Sequence, residues 1–325
     1  MFPSPILFKK VVAHVGQSLI TAIRDNTGSS KSRLSKKWAK SIPFLLMLPA
    51  LAVMGLFALF PVINAFRLSL YDKQLLNPGE TFVGLDHYSQ LFANGEFINA
   101  LKVSVIYVAG SVALQFLVGL VLAALLSAQG VKGKRFFRTA FIVPYTLSEL
   151  VVSLIWLQML DTEFGIINYF ATLLGADPQN WLFDFALPAV IVANVWWGST
   201  FSLLMLESAM QGIPKELYEA AEVDGCTSWG KFVHITLPSI RYVSLLNMIM
   251  ITLYTINSFG IIFVLTAGGP LGSTDVIGMF MWRSAFQFMD LGLGATISTL
   301  IFVVNILITL VYIRLFGLNT LKEGA

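Results

Sequence analysis

Six long apolar stretches constrain this chain more than any other feature of its sequence. Each is close to the roughly 20 residues that a helix needs to cross the hydrocarbon core of a bilayer. Backbone groups in lipid must be hydrogen-bonded within the protein, and the alternating ten-residue segments of a barrel do not occur here. The sequence therefore predicts an all-α polytopic membrane protein with six transmembrane helices. The stretches are residues 44–66, 103–126, 139–160, 186–206, 243–265 and 295–316.

The composition excludes a free-standing soluble enzyme. Only 12% of the 325 residues are charged and 56% are hydrophobic, whereas about a quarter of the residues of a soluble domain are charged. The single cysteine, Cys226, excludes a disulfide framework and a cysteine-rich metal site. The histidines His14, His87 and His234 are scattered among separate segments, and no basic stripe is interleaved with aromatics. We therefore expect no metal, no catalytic constellation and no nucleic-acid partner.

Basic residues are distributed unevenly between the apolar stretches. They are concentrated before the first stretch, between the second and third, and between the fourth and fifth. The segment after the third stretch contains Asp161, Glu163, Asp177 and Asp184 but no Lys or Arg. Because Lys and Arg are retained on the cytoplasmic side of a membrane, this pattern predicts that both termini are cytoplasmic.

Residues 1–40 form a basic N-terminal segment ahead of a transmembrane domain predicted for residues 41–325. Their apolar run, residues 11–23, contains His14 and Gln17 and lacks a cleavage site, which argues against a signal peptide. Apolar residues recur there near helical spacing, so an amphipathic helix on the membrane surface is one interpretation. A partly disordered basic tail is the other.

The loop at residues 211–239 is unusually polar and regular. Pro214 suits the first turn of a helix, and Gly225, which follows Asp224, is a typical helix stop. Small side chains at Ala220 and Ala221 would let another backbone approach closely. The loop therefore predicts a short helix–turn–helix that docks into a groove on a partner. Carboxylates recur at helical spacing within its first helix, at Glu216, Glu219 and Glu222.

The same loop resembles the EAA signature of the membrane subunits of bacterial ABC importers. Glu219-Ala220-Ala221 is followed at the expected spacing by Gly225, and then by Ile235 and Leu237-Pro238. The resemblance extends over residues 40–325. The chain resembles the sugar-importer branch of this family at residues 84–92 and at residues 265–270, where the sequence is Leu-Thr-Ala-Gly-Gly-Pro.

This resemblance implies a permease fold with a cytoplasmic coupling helix, in a bacterial inner membrane. It implies a second homologous permease, two cytoplasmic ATPase subunits and an extracytoplasmic substrate-binding protein as partners, besides membrane lipids. The cofactors ATP and Mg would be bound by the ATPase subunits, because this chain has no Gly-x-x-x-x-Gly-Lys-Ser/Thr phosphate loop. The chain would be a non-catalytic transport subunit. The expected coupling residues are Glu216, Glu219, Ala220, Ala221, Asp224, Gly225, Ile235, Leu237 and Pro238.

Polar and aromatic residues within the apolar stretches are candidates for a substrate pathway. In the third stretch, Pro144-Tyr145 breaks the predicted helix, and Glu149 is the one carboxylate deep in a predicted span. Rings suit the apolar C–H faces of sugars and amides suit their hydroxyls, which favours a carbohydrate. Packing between helices is the alternative role for the same groups. The candidates are Tyr145, Glu149, Asn194, Trp196, Trp197, Gly198, Tyr254, Thr255 and Ser258.

The larger permease subunit of maltose importers resembles the chain at these places, which implies sugar contacts there. Glu149, Trp197 and Ser258 depart from its pattern, so the resemblance leaves the identity of the saccharide open and allows the second permease to supply the contacts. Two other function classes stay open. A proton- or ion-coupled secondary carrier depends on Glu149 alone and predicts an internal repeat, which the sequence lacks. A multi-pass membrane transferase would need the acidic residues 216–224 as its catalytic set, yet their helical spacing fits docking better.

Overall fold

The computed structural model describes residues 46–77, 79–128 and 131–316, and this part of the chain is mostly helical. It divides into two units, with the boundary between Ile63 and Asn64. The basic segment predicted for residues 1–40 lies outside the described residues, as does the boundary predicted at residue 40.

Helices of very different length make up the described chain. The membrane-spanning elements and their short connections follow in chain order. The helices are α1 (Leu46–Leu68), α2 (Asp86–Ala93), α3 (Gly95–Ser127), α4 (Lys134–Thr146), α5 (Glu149–Met159), α6 (Ile166–Leu173), α7 (Trp181–Asp184), α8 (Ala186–Gln211), α9 (Lys215–Val223), α10 (Ser228–Lys231), α11 (Leu237–Ser239), α12 (Arg241–Asn257), α13 (Gly260–Leu265), α14 (Ile277–Trp282) and α15 (Leu291–Phe316). Single π-helical turns cover Gly55–Leu59, Phe232–Thr236 and Arg283–Gln287. The antiparallel strands β1 (Tyr71–Asp72) and β2 (Thr81–Phe82) pair Tyr71 with Phe82 and Asp72 with Thr81.

Five helical segments of the described chain are long and apolar enough to cross a membrane: α1, α3, α8, α12 together with α13, and α15. The sixth predicted span, residues 139–160, differs from the expectation. It consists of the pair α4 and α5, which bend by 103° at a short break. The described chain therefore has up to six spans, one of which is strongly bent.

The break in this bent span lies later than the sequence suggested. Pro144 is inside α4, and the helix continues to Thr146. The chain then turns extended at Leu147, and Ser148 caps a new helix by accepting a 3.4 Å hydrogen bond from the Val151 backbone N–H. The cap, rather than the proline, sets the position of the break.

The fifth span is also interrupted. Helix α12 ends at Asn257, and α13 begins only at Gly260, after two residues without helical structure. Helices α13 and α5 pack against each other. The two broken spans therefore place their breaks side by side in the membrane part of the chain.

Helices α3 and α8 form the most extensive helix pair in the described chain. Small residues allow the close approach, since a Cβ added at Gly119 would lie 2.3 Å from the Ser202 side chain and one added at Gly198 would lie 2.7 Å from Gln115. Such contacts are typical of helices that associate in lipid. The pair supports the first half of the fifth span, because Asn247 donates a 3.0 Å hydrogen bond to Ser202.

Candidate functional site

The loop at residues 211–239, from here on the EAA loop, begins with an exposed helix. Helix α9 ends at Val223, and Gly225 adopts a left-handed φ of +74°. The Cys226 N–H bonds the Ala221 carbonyl at 2.8 Å, and the Gly225 N–H bonds the Glu222 carbonyl at 3.1 Å. These two bonds are the Schellman arrangement, which uses a glycine at this position. The predicted helix stop therefore depends on the backbone conformation of Gly225 and not on lack of space, because a Cβ added there would have no atom within 4 Å.

Two side-chain contacts hold α9 against the second half of the loop. The Tyr218 hydroxyl lies 2.9 Å from the Thr236 hydroxyl. Lys231 forms an ion pair with Glu222, with 3.2 Å between Nζ and Oε1. The sequence reasoning assigned Glu222 to the carboxylate row and missed both contacts, although Tyr218 is one of the few aromatic residues in a polar segment.

The end of the EAA loop is anchored to the membrane helices. Ile235 and Leu237, both part of the predicted signature, are half-buried and pack against an apolar cluster. Pro238 lies in α11, directly before the fifth span. The second half of the EAA loop is therefore packed against the ends of α3 and α8. The buried members of this cluster are Ala123, Leu126, Leu203, Leu206, Met210, Ile213 and Ile240.

The outer side of α9 and the residues just after it are exposed to solvent. This surface carries three carboxylates, at Glu216, Glu219 and Asp224, beside the small Ala220, while Ala221 is half-buried. Among them Val223 is 89% exposed. A single exposed apolar side chain is ordinary at a protein surface, so the carboxylates and the small Ala220, rather than Val223, distinguish this surface.

In the membrane part, Glu149 joins the breaks of the two interrupted spans. Its Oε1 atom accepts a hydrogen bond from the Ser258 hydroxyl and a 3.0 Å bond from the Ile261 backbone N–H. The carboxylate therefore caps α13 while it lies in the first turn of α5. Negative charge is stabilised at both places, because helix N-termini carry unpaired N–H groups and a positive end of the helix dipole.

Aromatic rings surround the same breaks. The Trp197 ring lies 6.2 Å from the Tyr145 ring and 5.5 Å from the Tyr254 ring, between centroids. The Trp197 indole N–H donates to the Leu147 carbonyl at 3.3 Å, so a free carbonyl of the break is satisfied by a side chain. Tyr145 is 40% exposed and Tyr254 is 56% exposed. We call Tyr145, Glu149, Trp197, Tyr254 and Ser258 the break cluster.

Three other pathway candidates lie between helices, where Asn194 and Thr255 are buried and Gly198 is half-buried. Asn194 accepts a 3.1 Å bond from Gln115 and donates to the Tyr107 hydroxyl, so its amide joins α8 to α3. Gly198 contacts the same Gln115 side chain. Thr255 is buried and donates back to the Ile251 carbonyl at 2.7 Å. In this chain these residues pack the helices around the break cluster.

Trp196 points to a different neighbour from Trp197. Its ring lies edge-on to Trp156, with 6.1 Å between centroids, and it is 39% exposed. Within the described contacts the two adjacent tryptophans therefore belong to separate groups, and only Trp197 lies in the break cluster.

Glu207 is a buried carboxylate that the sequence reasoning missed. The predicted fourth span ended at residue 206, but α8 continues to Gln211, so Glu149 is not the one carboxylate buried within a spanning helix. Glu207 forms an ion pair with Arg138 of α4 and accepts a 3.2 Å bond from Gln211. The available signal was the basic run at residues 132–138, which lies on the same predicted side of the membrane as the end of the fourth span. The pair ties the bent third span to the helix that leads into the EAA loop.

Within the described residues, no group of three or more His, Cys, Asp or Glu side chains is arranged to hold a metal ion. His234, in the EAA loop, makes a local contact with the Gly230 carbonyl at 3.0 Å. The arrangement can dock a partner at α9 and can present aromatic, hydroxyl and carboxylate groups at the break cluster.

Comparison with known proteins gives a consistent result. The family model described as "Binding-protein-dependent transport system inner membrane component" matches residues 115–317. The trehalose/maltose transport system permease protein MalF of Thermococcus litoralis is 33% identical over 285 residues, which cover 87% of this chain and 96% of the relative. The trehalose transport system permease protein SugA of Mycobacterium tuberculosis is 31% identical over 306 residues, or 93% of this chain and 95% of the relative.

A solved structure shares the fold. One chain of a bacterial ABC transporter involved in the import of the acidic polysaccharide alginate superimposes with a TM-score of 0.78 at 23% identity, covering 88% of this chain and 98% of that chain. A second structure of an alginate ABC transporter contains an alginate pentasaccharide-bound periplasmic protein and gives a TM-score of 0.77 at 23% identity, covering 86% of this chain and 96% of that chain.

Proposed function

The chain belongs to the family of binding-protein-dependent transport system inner membrane components, and on this premise we propose that it carries a carbohydrate into the cytoplasm as one permease of an ABC importer. Relatives that are 31–33% identical over most of their length are named as permeases for trehalose and maltose. The observation that carries the proposal is the break cluster, which combines aromatic rings with hydroxyl and carboxylate oxygens in the membrane part of the chain.

The break cluster suits a saccharide for a chemical reason. Sugars expose apolar C–H faces that pack on aromatic rings, and their hydroxyls exchange hydrogen bonds with oxygen acceptors. Tyr145 and Tyr254 offer partly exposed rings, and Ser258 and Glu149 offer oxygens beside them. Asn194, Gly198 and Thr255 act as positioning residues that fix α8 and α12 around this surface, and Trp196 extends the aromatic surface toward Trp156.

The EAA loop is the proposed coupling element. Its exposed surface, with Glu216, Glu219, Ala220 and Asp224, would dock onto an ATPase subunit that binds ATP and Mg. Its other side is joined to the membrane helices through Ile235 and Leu237. Closure of the ATPase pair would displace α9 as a rigid body and reorient the spans, which is the general form of alternating access.

The orientation of the chain follows from the same proposal. Docking onto cytoplasmic ATPases requires the EAA loop to be cytoplasmic, and the Lys and Arg residues concentrated before the first span and between the second and third spans support this side. With an even number of spans, both termini are then cytoplasmic. The importer would further contain a second permease, two ATPase subunits and an extracytoplasmic binding protein.

The secondary-carrier hypothesis depended on Glu149 as a proton carrier. The contacts of Glu149 give its carboxylate another task, the capping of α13. We therefore propose a single function.

Purification and transport test the proposal together. The chain, extracted gently from its native membranes, should come with a second permease and a pair of ATPase subunits in fixed stoichiometry. The complex reconstituted in liposomes with its binding protein should take up a neutral saccharide such as trehalose or maltose only when ATP is enclosed on the ATPase side. A chain that purifies without an ATPase, or uptake that is driven by a proton gradient without ATP, would overturn it.

A further inference from the structure

Glu149 places a formal charge at a position where the local structure needs only an oxygen acceptor. The Ser258 hydroxyl and the Ile261 N–H both donate to Oε1. A glutamine side chain offers the same acceptor atom at the same length. The cap on α13 therefore requires an oxygen acceptor at this position but does not require a negative charge, although the two helix N-termini stabilise one.

No cation neutralises this charge within the described part of the chain. The described ion pairs join Arg67 to Glu80, Arg138 to Glu207, Lys231 to Glu222 and Arg283 to Asp275, and none includes Glu149. Its contacts are the hydroxyl and backbone donors already named. Those donors carry partial charges, so no full positive charge from the described residues is paired with this carboxylate.

The charge is close to the surface proposed for the saccharide. Ser258, which bonds Glu149, lies one helical turn after Tyr254, and its N–H bonds the Tyr254 carbonyl at 2.9 Å. Leu147, which accepts the Trp197 indole N–H, lies two residues before Glu149. A sugar that packs on the exposed rings of Tyr145 and Tyr254 is thus held beside both breaks and beside the carboxylate.

We infer that Glu149 makes this permease selective for saccharides without anionic groups. The inference rests on the proposed function. Glu149 Oε2 accepts no hydrogen bond from the described residues and can accept one from a sugar hydroxyl, whereas a uronate carboxylate at the same place is repelled. Two like charges ~10 Å apart at an effective dielectric constant of ~20 disfavour each other roughly tenfold or more. The fold alone does not determine this charge selectivity, because a transporter of the acidic polysaccharide alginate has the same fold.

The test compares two sugars that differ only in the oxidation state of one carbon atom. The neutral probe is the first of trehalose, maltose and their longer neutral homologues that loads the binding protein. The anionic probe is the same sugar with one CH₂OH oxidised to a carboxylate. ATP-driven uptake of each is measured in proteoliposomes with the complete importer, and each rate is divided by the loaded fraction of the binding protein. For the unmodified chain we expect the anionic sugar to be taken up at about a tenth of the neutral rate or less.

Glu149→Gln separates charge from capping, because the amide oxygen still accepts from Ser258 and Ile261. This variant should raise the anionic-to-neutral uptake ratio about tenfold, and that ratio, rather than the absolute rate for the neutral sugar, is the readout. Glu163→Gln removes an exposed carboxylate of the loop after the third span and should leave the ratio unchanged. An unchanged ratio in Glu149→Gln, or equal uptake of both sugars by the unmodified chain, would overturn the inference and leave the proposed function standing. If no saccharide loads the binding protein, or a loaded binding protein supports no ATP-driven uptake, the proposed function itself fails and the inference with it.

Discussion

The EAA loop and the break cluster are built from contacts of very different range along the chain. Within the EAA loop, the helix stop at Gly225 uses neighbours up to five residues away, and the Tyr218–Thr236 contact joins residues 18 apart. In the break cluster, Trp197 and Leu147 are 50 residues apart, and Glu149 and Ile261 are 112 apart. The loop is a local structure attached to the bundle, while the cluster exists only when the bundle is assembled.

Because the contacts differ in range, we expect substitutions in the two regions to affect stability and transport differently. Changes in the loop should impair coupling while the membrane helices stay folded. Changes in long-range contacts should lower stability as well, because they join different spans. The predictions below test that separation, from the largest expected change to the smallest.

The Arg138–Glu207 pair should carry the largest single effect on stability. It joins residues 69 apart, and Glu207 is only 3% exposed. Arg138→Ala removes the cation from a buried carboxylate and, because the Arg138 side chain is 44% exposed, should cost about 2 kcal/mol, measured as a lower midpoint of thermal unfolding of the purified complex. Arg138→Lys, which keeps the charge, should recover most of the loss. An Arg138→Ala complex as stable as the unmodified one would remove the distinction between the two regions.

Gly225→Val should give the largest loss of transport for a small loss of stability. A β-branched residue at a φ of +74° is strained by about 1–3 kcal/mol, and the end of α9 would refold locally. We expect ATP-driven uptake to fall at least about tenfold while the unfolding midpoint of the membrane helices is nearly unchanged. Gly225→Asn is the matched control, because asparagine tolerates the left-handed conformation, and it should retain most of the uptake. If valine and asparagine were equally active, the conformation of this turn would not matter for coupling.

The division between local and long-range contacts also determines how much of the structure could be predicted from the sequence. The spans followed from apolar length, and the EAA loop from local rules on helix starts, helix stops and carboxylate spacing. In the third span the proline indicated a break, but the cap at Ser148 decides its position, and a serine is a much weaker signal than a proline.

The partners within the membrane could not be predicted. Asn194 and Glu149 were identified as polar residues in apolar helices, but a single sequence does not show that one joins α3 and the other caps α13. Glu207 was missed because the predicted fourth span ended at the residue before this carboxylate. The helix continues past it because Glu207 pairs with Arg138. Such pairs depend on how the helices pack, and no local pattern encodes that.

Glu149→Ala should have an intermediate effect on stability. It removes the cap on α13, which is worth about 1 kcal/mol, and should lower the unfolding midpoint by about 2 °C. Glu149→Gln should not lower it, because Oε1 is kept. Calorimetry of the detergent-solubilised complex distinguishes the two variants, and equal loss in both would mean that the charge, rather than the acceptor, holds the break together.

Tyr218→Phe should give the smallest change. It removes one hydroxyl contact within the EAA loop, worth about 1 kcal/mol or less. We expect uptake to fall by a factor of a few with no change in the unfolding midpoint. Thr236→Val removes the other hydroxyl, and the double variant should be no worse than either single one. Additive losses would show that the two hydroxyls act separately.

Site-specific cross-linking from α9 tests the central claim most directly. Cys226 is the single cysteine of the chain, so Cys226→Ala combined with Glu219→Cys places one thiol on the exposed side of the helix. A thiol-attached photocrosslinker at this position, activated in native membranes, should join the chain to an ATPase subunit. The cross-link should weaken when ATP is exhausted or Gly225 is replaced by valine. A fully labelled chain that cross-links only to lipid, or to no ATPase while transport continues, would contradict the account.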